Sequence, residues 1–239
     1  MDDFGRIIYL DVEKTGSTFI SKFLQENMAC QRVRKVKHGR IGNNFKKGSF
    51  YFISVRNPLS QYLSLYRYGC GGKGAIYESL AKSEHTQLYQ PDKESFQQWL
   101  RFVLSAENAR HLGAESQAVD TELMGLQTFR FLTLSFQNPL KKLKPIHDYA
   151  TLCGLYEKKR IHSFVVRNES LRADMEILVE THLSALVDIK SAKRYLEKSP
   201  PINRSAKLGF DIESIDEQTM SLLRRKERFL LDRFYPGNL

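Results

Sequence analysis

Three short apolar runs in the sequence are each followed by a turn and then by apolar residues at helical spacing. The runs cover residues 6–12, 50–55 and 163–167. Their apolar and β-branched residues predict strands, and the periodic positions after them predict helices. Pro58 suits the first turn of the second helix, because its missing N–H needs no partner there. Strands that alternate with helices predict an α/β fold whose central parallel sheet is flanked by helices and binds ligands at the carboxyl ends of its strands.

The rest of the chain carries weaker helical patterns. After the third strand, apolar spacing predicts a helix that runs from Leu171 towards Leu186. Another helix is predicted over residues 94–104. A C-terminal helix is predicted over residues 211–234, where acids come early and bases late, as the helix dipole favours. No element is predicted for residues 105–135.

Length and composition favour a single globular unit. A chain of 239 residues with 41% hydrophobic content can bury one core, so residues 1–239 are predicted to form one domain. The sequence has no apolar run of about 18 residues and no signal-peptide pattern, and we therefore expect a soluble, cytoplasmic protein. Three widely spaced cysteines, Cys30, Cys70 and Cys153, predict neither a disulfide framework nor a zinc site.

The formal charge of +10 is unevenly distributed along the chain. Residues 27–77 contain no Asp or Glu. Their basic residues are Arg32, Arg34, Lys35, Lys37, Arg40, Lys46, Lys47, Arg56, Arg67 and Lys73. Such a span attracts a polyanionic small molecule, an acidic glycan or nucleic acid, and a solvated basic surface is the plainer alternative.

The turn after the first strand has the parts of an anion-binding loop. It reads Glu13-Lys14-Thr15-Gly16-Ser17-Thr18 and leads into a helix. Backbone N–H groups at a helix start bind anions, and the glycine permits close approach while the hydroxyls and Lys14 add donors. The loop differs from the nucleoside-triphosphate loop because its lysine precedes the glycine. The alternative is an ordinary helix start capped by Thr15 or Ser17.

Two segments together resemble the donor-binding motifs of sulfotransferases. Residues 10–18 are similar to the 5′-phosphosulfate loop, P-K-[ST]-G-[ST]-T, with Glu13 in place of the usual proline. Arg56-Asn57-Pro58 followed by Ser64-Leu65-Tyr66 is similar to the 3′-phosphate motif, R-[ND]-P and S-x-Y. The tail also resembles carbohydrate sulfotransferases, at Asn203-Arg204-Ser205, residues 215–217 and residues 229–236. This resemblance to the family that uses 3′-phosphoadenosine 5′-phosphosulfate (PAPS) implies a P-loop-like sulfotransferase fold.

The resemblance also implies roles for the loop residues. Lys14 would contact the oxygen that bridges phosphate and sulfate, and Arg56 and Ser64 would bind the 3′-phosphate. PAPS would be the co-substrate, with adenosine 3′,5′-bisphosphate (PAP) as its product and no metal required. The predicted donor-binding residues are Lys14, Thr15, Gly16, Ser17, Thr18, Phe19, Arg56 and Ser64.

A general base is needed to take the proton of the acceptor hydroxyl, and histidine has a suitable pKa. His38, in Lys37-His38-Gly39-Arg40, is the first candidate, because some glycan sulfotransferases have a similar His-Gly segment. Glu13 is the second. The local sequence favours a catalytic role less at His85, His111, His147, His162 and His182.

The resemblance implies a hydroxyl-bearing acceptor, which we expect to be a glycan or glycolipid. The variable residues 69–160 are expected to shape the acceptor site. No nucleic-acid partner is expected. Two other functions stay open at this point. A kinase or ATPase is disfavoured by the missing triphosphate loop. A basic nucleic-acid-binding module would use the acid-free span, although its aromatic residues mostly follow strand or helix spacing.

Overall fold

The structure is a computed structural model that describes residues 1–112, 115–200, 210 and 215–237. The chain divides into two compact units. The sheet unit comprises residues 1–56, 133–138 and 158–204. The helical unit comprises residues 57–132, 139–157 and 205–239.

Five strands and eleven α-helices follow one another along the described residues. The strands are β1 (Asp2–Asp3), β2 (Ile7–Leu10), β3 (Arg34–Lys35), β4 (Phe50–Val55) and β5 (Phe164–Arg167). The helices are α1 (Ser17–Asn27), α2 (Pro58–Cys70), α3 (Ala75–Lys82), α4 (Lys93–Leu104), α5 (Leu126–Ser135), α6 (Pro139–Leu143), α7 (Tyr149–Lys159), α8 (Leu171–Leu178), α9 (Ile189–Lys198), α10 (Glu217–Lys226) and α11 (Arg228–Phe234). Among the described residues, no helix is long and apolar enough to cross a membrane.

The sheet unit contains all five strands, in the order β3-β1-β2-β4-β5. The central strands are parallel, β2 beside β4 and β4 beside β5, whereas β1 pairs antiparallel with β2 and β3. The α/β class and the parallel central strands are therefore confirmed. The two-residue strands β1 and β3 were not predicted, because segments this short carry no periodicity.

One face of the sheet is covered by α1, α8 and α9. Tyr9 and Phe52 stack with ring centroids 4.9 Å apart on neighbouring strands. The apolar side of α1 packs onto the same cluster through Phe19 and Phe23, which also contact the ring of Tyr195 on α9. This packing fixes the direction in which α1 leaves the sheet.

The carboxyl ends of the three parallel strands meet at one edge. Parallel pairing sets Leu10 opposite Ile53 and Val55 opposite Arg167. The backbone N–H of Asn168 continues this pairing by donating to the carbonyl of Val55 at 2.8 Å. The segments that follow β2, β4 and β5 thus start side by side, as the α/β pattern requires of a binding edge.

Helices and short turns form the helical unit. Its core gathers large aromatic side chains of α2 and α4, among them Tyr62, Tyr66, Phe96 and Trp99, all fully buried. Leu223 of α10 belongs to the same core. The prediction of a helix over residues 94–104 is confirmed by α4.

Two helix predictions were wrong in extent. The C-terminal helix is interrupted at Glu227, whose φ of −106° and ψ of 17° leave the helical region between α10 and α11. The helix after β5 changes to a π-helical turn at Val179–Leu183 and does not reach Leu186. The predicted tail motif Asn203-Arg204-Ser205 and the start of the C-terminal helix at residues 211–214 lie outside the described residues.

The interruption at Glu227 has a physical reason in the contacts of its buried carboxylate. It accepts hydrogen bonds from the Tyr62 hydroxyl at 2.5 Å and from the backbone N–H groups of Gln127 and Thr128 at 3.1 and 2.8 Å. The latter two belong to the first turn of α5, so the carboxylate caps that helix from a distance. Gly125 leaves space for the Glu227 carboxylate, since a Cβ at position 125 would lie 2.2 Å from Oε1 of Glu227.

Replacing Glu227 with Ala is expected to lower the free energy of unfolding by about 3 kcal/mol or more, because several buried donors lose their acceptor. For a chain of this size that corresponds to a fall in Tm of roughly 6 to 12 °C, measured by calorimetry. Glu217→Ala is the control: Glu217 is 78% exposed and pairs with Arg224, and such surface pairs stabilise by at most about 1 kcal/mol. An equal Tm for Glu227→Ala and Glu217→Ala would contradict this role of Glu227.

Candidate functional site

The loop between β2 and α1 turns through left-handed backbone conformations. Lys14 has φ of +64° and Gly16 has φ of +86°. A residue with a side chain seldom adopts this region, and such residues concentrate at functional sites. In the described part of the chain the non-glycine residues with positive φ are Lys14, His38, Glu84 and Asn138, so two of the three candidate catalytic residues, Lys14 and His38, are among them.

Helix α1 begins at Ser17 with Gly16 at the N-cap, and this N-cap makes no side-chain hydrogen bond. The alternative in which Thr15 or Ser17 caps an ordinary helix is therefore wrong. The Thr15 hydroxyl points inward, donating to the carbonyl of Val12 at 2.7 Å and lying 2.5 Å from the Ser54 hydroxyl. What Thr15 can offer an anion at this helix start is its backbone N–H.

The other loop residues differ in exposure. Ser17 is half-buried and Thr18 is exposed at the first turn of α1. Phe19 is 5% exposed, and its N–H donates to the carbonyl of Gly16 at 3.0 Å. The side chain of Phe19 therefore packs in the core of the sheet unit and its N–H closes the first turn of α1, while its part in donor binding stays a prediction.

Arg56 joins the end of β4 to the loop. Its Nη1 donates to the carbonyl of Lys14 at 3.3 Å. Burial lowers the pKa of the Lys14 ammonium, and the charges of Lys37 and Arg56 act in the same direction against Glu13. Several cations thus converge on one short loop, an arrangement that a bound anion would relieve.

The residues after Arg56 shape the next helix. Asn57 is the N-cap of α2, and its side-chain oxygen accepts from the N–H groups of Leu59 and Ser60 at 3.1 and 3.3 Å. Pro58 occupies the first helical position, as predicted. Ser64 lies on α2 in the helical unit and is half-buried, and its role in donor binding stays a prediction.

His38 contacts a carboxylate of the same unit. Its Nδ1 lies 3.0 Å from Oδ1 of Asp11 and 3.1 Å from the carbonyl oxygen of Asp11. The Asp11 side chain is only 6% exposed, and the His38 side chain is 30% exposed. Glu13, the second candidate base, is half-buried on the loop between Asp11 and Lys14. The structure thus brings Lys14 and Arg56 together and joins His38 to the strand from which the loop leaves.

Sequence reasoning gave no role to Asp11 or Asn168, which both follow directly after parallel strands. The side-chain nitrogen of Asn168 lies where it would be 2.9 Å from a Cβ on Gly16, so it faces the loop backbone. A polar residue immediately after a buried parallel strand was the signal that could have found both.

Replacing Gly16 with Ala is expected to lower the free energy of unfolding by about 1 to 2 kcal/mol, because alanine is strained at positive φ. The new methyl group would also crowd Asn168 and Leu171. Gly154→Ala is the control, since Gly154 lies in α7 with nothing within 4 Å of its Cβ position. Urea denaturation of both variants measures the difference, and a Gly16→Ala protein as stable as Gly154→Ala would contradict the strain.

Comparison with protein families identifies a match over nearly the whole chain. A model described as "Sulfotransferase family" matches residues 1–236. Comparison with curated proteins found no match, and comparison with solved structures found none. The matched range includes the loop around Lys14, the Arg56 segment and the described C-terminal helices. The chain therefore belongs to the sulfotransferase family.

Proposed function

We propose that this protein transfers the sulfuryl group of PAPS to a hydroxyl of a carbohydrate or glycolipid. The observation that carries the proposal is the Lys14–Gly16 loop at the start of α1, held by Arg56, in a chain of the sulfotransferase family. The N–H groups and dipole of a helix start, together with a nearby lysine, suit an anionic donor.

The donor is bound through its phosphates. The 5′-phosphosulfate lies against the backbone of Thr15, Gly16 and Ser17, where the positive end of the α1 dipole adds to the hydrogen bonds. Arg56 binds the 3′-phosphate, for which its planar guanidinium is well suited. The carbonyl of Lys14 keeps one nitrogen of Arg56 in place at 3.3 Å.

The reaction moves one sulfuryl group and one proton. The acceptor oxygen attacks sulfur as the bond from sulfur to the bridging oxygen of PAPS breaks, so the products are a sulfate ester and PAP. Nε2 of His38 takes the proton of the acceptor hydroxyl. Lys14 donates to the bridging oxygen, where negative charge accumulates as the bond breaks.

The acceptor binds near an electropositive part of the sheet unit. Lys37 immediately precedes His38 in the chain and is exposed, and its charge acts on Lys14. An acceptor that carries carboxylate or sulfate groups gains from this field, which favours an acidic glycan over a neutral one.

The test is transfer of radiolabelled sulfate from PAPS to a panel of neutral and acidic oligosaccharides and glycolipids. Lys14→Ala is expected to lower kcat by about 10²- to 10³-fold, the usual effect of removing a transition-state donor. Lys22→Ala is the matched control, because Lys22 lies on α1 and pairs with Glu26 at the surface. Absence of transfer to every acceptor, or equal rates for the two variants, would contradict the proposed function.

A further inference from the structure

The buried carboxylate of Asp11 contacts the candidate base His38. Asp11 directly follows β2 and is 5% exposed. Its Oδ1 accepts from the backbone N–H of His38 at 2.6 Å and lies 3.0 Å from Nδ1 of the same residue. The carboxylate therefore holds both the backbone and the ring of His38.

The surroundings of Nδ1 fix which ring nitrogen carries the proton. The two atoms near Nδ1 are the carboxylate oxygen and the carbonyl oxygen of Asp11, at 3.0 and 3.1 Å. Both can only accept, so Nδ1 must donate and carry the hydrogen. In the neutral ring Nε2 is then the basic nitrogen.

We propose that Asp11 is the positioning residue of this site, which holds His38 in the Nδ1–H tautomer so that Nε2 receives the proton of the acceptor hydroxyl. This inference rests on the proposed function for its catalytic consequence. The orientation of the ring is a separate property that can be measured without turnover.

The charges around the pair act on its basicity. Burial alone would lower the pKa of His38, but the hydrogen bonds to Asp11 and its charge outweigh burial and raise it, with Glu13 adding to the effect. Burial alone would raise the pKa of Asp11, but the hydrogen bond from His38 and the charge of the Met1 ammonium lower it. The Met1 ammonium lies 3.2 Å from Oδ1, and burial together with the charge of Asp11 raises the pKa of the Tyr9 phenol.

Two substitutions separate the charge of Asp11 from its hold on the ring. In Asp11→Asn the side-chain oxygen is still anchored by the His38 N–H, so the tautomer is kept while the negative charge is lost. In Asp11→Ala the charge and the side-chain acceptor are both lost, and the backbone carbonyl of residue 11 remains as the weaker acceptor at Nδ1. Asp3→Asn is the matched control, because Asp3 is equally buried in the sheet unit but pairs with Lys46 at 2.7 Å.

Side-chain ¹⁵N spectra over a pH titration measure the ring directly, with the His38 signals assigned by their loss in His38→Gln. The neutral ring is expected to carry its proton on Nδ1 in the wild type, Asp3→Asn and Asp11→Asn. Its pKa should fall in Asp11→Asn, and Asp11→Ala should shift the proton towards Nε2. A wild-type ring protonated on Nε2, or a pKa unchanged in Asp11→Asn, would overturn the proposal. Asp11→Asn preserves the side-chain shape if Asp11→Ala fails to fold.

The kinetic readout is kcat/KM for sulfuryl transfer against pH. Activity should rise with pH as His38 loses its proton. In the wild type this rise should occur at a pH above the ordinary histidine pKa of about 6.5. In Asp11→Asn the rising limb of the pH profile should move to lower pH. Asp11→Ala should reduce the plateau at least about tenfold, part of the roughly 10²- to 10⁴-fold that a general base supplies.

The two claims fail in different ways. If the wild type transfers no sulfuryl group, the proposed function fails, and the ¹⁵N titration alone decides whether Asp11 sets the tautomer of His38. If transfer occurs and the pH limb is the same in the wild type, Asp3→Asn and Asp11→Asn, the proposed function stands and the role of Asp11 is refuted.

Discussion

The hydroxyl of Thr15 is the contact on which the geometry of the loop depends. It is buried beneath the loop, donates to the carbonyl of Val12 and meets the hydroxyl of Ser54, which in turn lies 2.6 Å from the hydroxyl of Tyr9. This chain of hydroxyls ties the loop to two parallel strands. Because the Thr15 side chain is fixed in this way, Lys14 and Gly16 on either side are held in left-handed conformations at the start of α1.

The fixed loop gathers positive charge where the three parallel strands end. The carbonyl of Lys14 accepts a hydrogen bond from Arg56. The pKa of the Lys14 ammonium is lowered by burial and by the charges of Lys37 and Arg56. Asp11 supplies a negative charge at the same edge, but its hydrogen bonds are directed to His38. Only Val12 and Glu13 separate Asp11, whose carboxylate contacts His38, from Lys14, whose carbonyl accepts from Arg56. In the proposed reaction the residues for donor binding and those for proton transfer therefore lie close together in the chain around the end of β2.

The sequence was sufficient for the parts of the fold that have a regular period. Residues 50–55 form a strand with the predicted limits. The break at Glu227 was missed because its cause is a carboxylate that accepts from Tyr62 and Gln127, which are 165 and 100 residues away in sequence. Asp11 was missed for the same reason: its partner His38 is 27 residues away and is brought near by the sheet. The side chain of Phe19 is part of the core, and the part predicted for this residue in donor binding stays a prediction.

The central claim is that this site binds a nucleotide with a 3′-phosphate, and calorimetric titration with PAP tests it most directly. PAP should bind more tightly than adenosine 5′-monophosphate or ATP, and Arg56→Ala should lose that preference. Arg6→Ala, a substitution of an exposed arginine at the amino end of β2, should keep it. At a PAP concentration of about 100 times its Kd, the protein should gain roughly 2.7 kcal/mol of stability. Equal affinity for PAP and ATP, or an unchanged preference in Arg56→Ala, would contradict the account.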